Sequence, residues 1–285
     1  MKITLIALFS LAGVVTLLVV LGRLRWRSAT RELRAKLEAA RRPIEVTAFT
    51  TRDLDRLPTP VQRYFRAVLE EGQRPVMALD LDQTGTINLS EKAEQWKAFT
   101  AGQRVVTRGP GFSWNARITM FPGMSVFVED AYVDGEGHLR VALIGLMTKA
   151  NLRDRGELAR GELMRFLAEA AWYPTMLLPG HGVVWSAVDE HSAHATLEDG
   201  DLSVTLLFHF DAENLIDTVR AAARGRSVGA ATVSMPWQCR LWHYATREGM
   251  RVPLAGEAAW ITPEGVKTYW RGTITGLRYE FAPLK

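Results

Sequence analysis

Cysteine is almost absent: Cys239 stands alone in 285 residues. A single thiol excludes an internal disulfide, a cysteine-based metal site and a lipid-modified cysteine near the N-terminus. Cys239 lies in a Trp-rich, strand-like stretch, where it reads as a small buried side chain; a thiol nucleophile is the competing reading. Catalytic signatures are missing too. No Gly-x-Ser-x-Gly elbow occurs. Gly109-Pro110-Gly111 lacks both the lysine and the strand–loop–helix setting of a phosphate loop, and reads as a turn. Charge of either sign is absent from Ile3 to Gly22, about twenty residues, and that absence has a structural meaning.

At 1.5 Å rise per residue such a run spans a hydrocarbon core of roughly 30 Å, so residues 1–22 are expected to form a transmembrane anchor. A cleaved signal peptide is the other reading, but LGRLRWRS follows where small residues should prepare a cleavage site. Residues 23–50 are expected to be a basic juxtamembrane helix and linker, with Trp26 as an aromatic anchor at the interface. Eight basic residues between Arg23 and Arg42 face only Glu32 and Glu38, an excess of six. Lys2 adds one, so with a net charge of +4 the rest of the chain carries about −3. The pI near 9.3 therefore belongs to the junction, which can meet anionic headgroups, and nucleic acid is not an expected partner. Counting Lys2 on one side and the arginine run on the other places the following domain in the cytoplasm.

Residues 51–285 read as a single mostly-β domain. Thr59-Pro60 starts a helix whose apolar face is Val61, Tyr64, Phe65, Val68 and Leu69, closed by Gly72. Beyond it the period becomes two: Phe112, Trp114, Ala116, Ile118 and Met120 alternate with polar residues, as do Leu202, Val204, Leu206, Phe208 and Phe210. Stretches 76–89, 124–133, 138–146, 183–189, 236–245 and 266–281 read as further strands, the last with a bulge near Gly276. One helix, 155–172, interrupts them. It turns Leu163, Phe166, Leu167 and Ala170 to one side, and Glu162, Arg165 and Glu169 to the other. Many strands without βαβ alternation predict an antiparallel open or half barrel covered by helices.

Candidate chemistry is sparse, and no catalytic residue, metal ligand or cofactor is assigned. Ala78 to Thr86 (ALDLDQTGT) looks like the aspartyl-phosphate motif of haloacid dehalogenase-type phosphotransferases, but that chemistry needs parallel βα units. Asp80 and Asp82 here share a face with Thr84 and Thr86, as in a half-exposed strand. His191 and His194 share a face only on a helix, whereas their stretch looks extended. The Glu162–Arg165–Glu169 row is either a solvated salt-bridged face or, if the helix closes a barrel mouth, the polar end of a ligand site. Eight tryptophans in the β domain exceed what a small core needs. Trp114, Trp172, Trp185, Trp237 and Trp270 are therefore candidates for a cavity wall, with Arg165 and Glu169 at its polar end.

Several segments together resemble an uncharacterised family of bacterial membrane-anchored proteins known as a domain of unknown function. They include Trp96-Lys97-Ala98-Phe99, Gly111-Phe112-Ser113-Trp114-Asn115-Ala116, Asp130-Ala131-Tyr132, Gly161-Glu162-Leu163-Met164-Arg165-Phe166, Trp172-Tyr173-Pro174-Thr175, Pro236-Trp237 and Tyr269-Trp270. The likeness covers nearly everything after Pro60 and carries no established activity. The strand-rich pattern with a covering helix also looks like the half-barrel of bacterial lipoprotein carriers, which implies shelter for acyl chains. The reading is thus a single-pass protein of the bacterial inner membrane, with membrane lipids as partners and a lipid or other hydrophobic ligand. The alternatives are a hydrolase with Glu169 as general base beside Arg165 or His243, and an interaction module of a membrane complex.

Overall fold

The computed structural model describes residues 2–43, 47–90, 93–121, 124–228 and 231–283. Two antiparallel meanders share one sheet. The first comprises β1 (Val76–Asn88), β2 (Trp96–Val106), β3 (Gly111–Phe121), β4 (Met124–Val133), β5 (Glu136–Leu143) and β6 (Met147–Asp154). The second comprises β7 (Val183–Ala187), β8 (Ser192–Asp199), β9 (Leu202–Phe210), β10 (Ile216–Val228), β11 (Ala231–Arg247), β12 (Met250–Thr262) and β13 (Gly265–Phe281). The order across the sheet is β6-β5-β4-β3-β2-β1-β13-β12-β11-β10-β9-β8-β7. The chain therefore starts in the middle, walks to one edge, crosses to the other edge and walks back.

That crossing decides the architecture. Since β6 and β7 are opposite edges, the segment between them must traverse a face of the sheet, and it does so as helix α3 (Glu157–Ala168) followed by 3-10 turns. Strand twist curls thirteen strands around it, until the Tyr132 hydroxyl of β4 donates to Asp199 of β8 at 2.8 Å. The result is an open half-barrel with α3 in its concavity. Ala159, Leu163, Phe166, Leu167 and Ala168 are buried there against the inward residues of the strands. Helix α2 (Thr59–Val68) buries Val61, Tyr64, Phe65 and Val68 against one end, each such side chain contributing roughly 1.5–3 kcal/mol. The parity change expected near Gly276 is a register shift: Gly276 pairs with Asp82, but Ile274 pairs with Gln83.

Helix α1 (Lys2–Ala39) runs unbroken through the expected boundary at residue 22. Its C-terminal half lies along the convex face, where Leu33 and Leu37 pack on Ala78, Val106, Ala131 and Val133. Arg104 clamps it there, reaching Glu38 (2.7 Å), Asp80 (3.0 Å) and Glu280 (2.5 Å). Trp26 is not the interfacial ring expected. It is 3% exposed, lying under the Arg140 guanidinium at 4.0 Å and against Phe127. Among the described residues no helix is long and apolar enough to cross a membrane. Side chains 1–3, 5, 7, 8, 11 and 12 of the expected anchor lie outside the described residues.

Where α1 reaches the β5–β6 turn, Gly22 meets Gly145, and a Cβ on Gly22 would overlap the Ile144 carbonyl oxygen. Gly22→Val is expected to lever this part of α1 off the sheet at a cost of about 1–3 kcal/mol. Hydrogen exchange should show amides 24–34 losing protection while the strands keep theirs; unchanged exchange would refute the interlock.

Candidate functional site

Between α3 and the inward faces of both meanders a cavity of about 260 Å³ remains. Its apolar wall is made by Ile87, Trp114, Val128, Trp172, Trp237, Leu241, Ala258 and Trp270, with Cys239 and Tyr269. Each strand contributes through its pleat: Trp114 lies in the inward register of Phe112, Ala116 and Ile118. Trp114 donates its indole N–H to Gln83 at 2.7 Å, and Trp237 donates to the Tyr269 hydroxyl at 3.0 Å, so both rings are oriented. Cys239 is buried, which pushes its thiol up to about 12 and leaves it protonated and inert at neutral pH.

Five charged groups form one wall. Arg165 is central: Nε donates to Glu169 at 2.7 Å, Nη1 donates to Asp130 at 3.1 Å, and its plane lies over Phe112 and Trp114 at 4.8 and 5.0 Å. Burial works against this cation, but Glu169, Asp130 and Glu162 outweigh it and raise its pKa. The second oxygen of Glu169 accepts from Gln103 at 2.6 Å. Arg224 faces Glu162 across a longer 3.8 Å and lies over Trp237 at 4.8 Å. Burial, reinforced by Asp130, pushes Glu162 up to about 7 against the pull of Arg224 and Arg165. Burial likewise raises Asp130, outweighing Arg165 and Arg224. Asp130 Oδ1, Glu162 Oε2 and Trp172 Nε1 are buried without a hydrogen-bond partner in the protein.

Of the seven residues singled out in the sequence, Trp114, Arg165, Glu169, Trp172, Trp237 and Trp270 line this cavity. Trp185 does not. It packs edge-on against Phe208 and donates to the Leu177 carbonyl at 2.8 Å, which makes it core. The Glu162–Arg165–Glu169 row is not a solvated face, because the concavity receives it. His243 is exposed on β11, outside the cavity, so of the two neighbours expected for a Glu169 base only Arg165 stands beside it. Both oxygens of Glu169 are already occupied by Arg165 and Gln103. Asp80 and Asp82 point to the convex side and pair with Arg104 and Arg278. Among the described residues no group of three or more His, Cys, Asp or Glu side chains could hold a metal ion.

Asp130 and Arg224 were missed. Asp130 left a signal, since it interrupts the inward run Val126, Val128, Tyr132. Arg224 left none that alternation could read: the register of β10 on β11 shifts between Ala221 and Arg224, so parity counted from either end fails.

Residues 55–279, most of the chain, match a family model. The chain belongs to the family of unknown function DUF6920. The cavity's charged and aromatic lining falls wholly within that DUF6920 region. No curated protein matches it. Among solved structures it is similar to the crystal structure of the LolA superfamily protein NE2245 from Nitrosomonas europaea. The identity is 10% and the TM-score 0.33, over 84% of this chain and 96% of that one.

Proposed function

We propose that this protein is held at a membrane by residues 3–22 and binds one amphiphile in its half-barrel. The observation that carries the reading is a cavity with four tryptophans on one side and buried polar atoms lacking partners on the other. Such atoms are costly, roughly 1–3 kcal/mol each, unless something completes them. The ligand's apolar body would lie against Trp114, Trp172, Trp237 and Trp270, and its head against Asp130, Glu162, Arg165, Glu169 and Arg224. At about 260 Å³ the space is near the low end of ligand pockets (roughly 300–1,000 Å³), which suits a single chain or ring system.

Three carboxylates against two guanidiniums leave one excess negative charge when all are ionised. Two of the free atoms, on Asp130 and Glu162, are acceptors. The head that completes this wall is a donor, a hydroxyl or an amine, and not a bare carboxylate. Titration of intrinsic tryptophan fluorescence at pH 8 should show dodecanol or dodecylamine binding at least tenfold more tightly than laurate. Ala258→Phe, which fills the cavity, should abolish the response. Equal binding by all three probes, or no change with Ala258→Phe, would end the reading.

The anchor is supported by the helix itself. Ile6, Phe9, Val14, Val15, Leu17, Leu18, Val20 and Leu21 are all exposed, on every side, and a helix apolar all round needs an apolar surrounding. Arg23, Arg25, Arg27 and Arg31 follow it, also exposed, and their charge favours a cytoplasmic domain on the bacterial inner membrane.

A further inference from the structure

In an antiparallel sheet alternate turns fall at the same end. The β1–β2, β3–β4, β5–β6 and β12–β13 turns therefore form one rim, and the β2–β3, β4–β5 and β11–β12 turns lie at the opposite end; toward β8 the curl brings the strand ends round, so that Tyr132 beside the β4–β5 turn meets Asp199 beside the β8–β9 turn. The two ends differ in chemistry. The turns of the opposite end carry Arg108 and Gly109, Asp134 and Gly135, and Glu248 and Gly249, and none of these three turns has an exposed large apolar side chain among its described residues. The rim carries Leu89, Phe121, Met124, Met147 and Val266, exposed by 41–61%. Behind them stand cations over aromatic rings: Lys97 over Phe121 (5.7 Å), Arg271 over Trp96 (4.9 Å) and Arg226 over Trp260 (5.6 Å).

The course of α1 says what covers this rim. The helix climbs the convex face from Ala40, beside Gly109 at the opposite end, to Gly22, beside Gly145 in the β5–β6 turn of the rim. Residues 3–22 then continue about 30 Å past it at 1.5 Å per residue. If that segment spans the bilayer, the boundary of the hydrocarbon falls at Gly22, level with the rim.

We infer that the hairpin rim rests on the bilayer surface, with Phe121, Met124, Met147 and Val266 entering the headgroup layer and Trp96 and Trp260 at its polar edge. This inference rests on the anchor of the preceding reading. Aromatic rings with lysine and arginine beside them are the composition of membrane interfaces, and Arg23, Arg25, Arg27 and Lys267 add charge that suits anionic lipid. The cavity follows from the same placement. Its wall residue Tyr269, stacked on Trp260, also lines the open basin between the β1–β2 and β12–β13 turns. A lipid-derived ligand can then pass from headgroup layer to cavity without crossing bulk water.

The test uses the full chain in vesicles of phosphatidylcholine and phosphatidylglycerol, 5-doxyl lipid included as quencher. An environment-sensitive fluorophore is attached to one introduced cysteine at a time: Val15→Cys, Met124→Cys, Val266→Cys or Glu248→Cys. Native Cys239 is buried and stays unlabelled. Quenching is expected at 15, 124 and 266, at least twofold, and not at 248 at the opposite end. Quenching at 15 with none at 124 and 266 would overturn the rim contact and leave the anchor standing. No quenching at 15 would overturn the anchor and this inference together. Equal quenching at 248 and 266 would overturn the orientation.

Discussion

Replacing Arg165 by methionine is expected to remove about 3–5 kcal/mol of stability, a large part of the 5–15 kcal/mol typical of a folded domain. Methionine keeps apolar contact with Phe112 and Trp114, so the loss is chiefly electrostatic. Arg165 is the direct partner of both Asp130 and Glu169, at 3.1 and 2.7 Å. Without it both carboxylates stand uncompensated in a low-dielectric cavity, and Asp130, which burial already raises, takes up a proton more readily than in the unfolded chain. A folded pKa above the unfolded one gives stability that is present at low pH and lost as pH rises. The deficit should accordingly be larger at pH 8 than at pH 5. Adding Asp130→Asn and Glu169→Gln should restore most of it, because the uncompensated charges leave with the cation. Urea denaturation in detergent at both pH values measures this. A deficit under 1 kcal/mol at pH 8, or one that grows toward pH 5, would show that Arg165 does not hold this wall together.

Glu162→Gln is expected to act in the other direction. Burial, then the neighbouring Asp130, pushes this carboxyl from an ordinary 4.5 up to about 7, despite Arg224 and Arg165. The folded state thus holds a proton that the unfolded chain releases. Its stabilisation is complete below about pH 4.5 and is lost as pH rises through 7, a change of about 3 kcal/mol at 1.36 kcal/mol per pKa unit. Glutamine mimics the protonated carboxyl at every pH. The 3.8 Å pairing with Arg224 exists only in the ionised carboxylate, and its pull is already contained in the value near 7. Relative to the parent, the variant should gain about 2.5 kcal/mol between pH 5 and pH 8. Asp130 keeps some pH dependence in both proteins, because burial raises it too. Thermal midpoints measured across that range decide it. Parallel curves would mean that Glu162 is already ionised in the folded state, and that the cavity wall is more polar than its burial implies.

Both predictions concern residues that alternation and helical spacing brought only partly into view. The row Glu162, Arg165, Glu169 was visible as a face of α3, yet the same spacing describes a solvated helix, and only the concavity opposite it distinguishes the two. Asp130 was visible as a break in an inward run, but its partner lies 35 residues away on α3. Strands were legible where apolar and polar residues alternate cleanly, as in β3 and β9. Four strands, β2, β6, β10 and β12, went unread, and β8 only as an extended stretch. In β2 the polar Gln103 and Arg104 are buried because Glu169 and Glu38 receive them from elements far along the chain. In β10 a register shift breaks the parity, and in β12 Pro253 and Gly256 obscure it. Trp26 was read as an interfacial ring from its position after an apolar run; Arg140 and Phe127, more than a hundred residues on, bury it instead.

The sequence by itself determined the uncharged run at residues 3–22, the basic segment after it, the change from helical to two-residue period after Gly72, and the absence of known catalytic motifs. Those properties depend on neighbours within one helical turn or one pleat. The tertiary structure alone decided that β6 and β7 lie at opposite edges, and so that α3 crosses the concave face carrying its charges inward. It also decided that four of the five candidate tryptophans meet in one cavity while Trp185 joins the core. Burial is a property of opposed elements, and the elements opposed here, β4 with β8 and α3 with β10, lie about sixty residues or more apart in the chain. Local patterning cannot report a separation of that size.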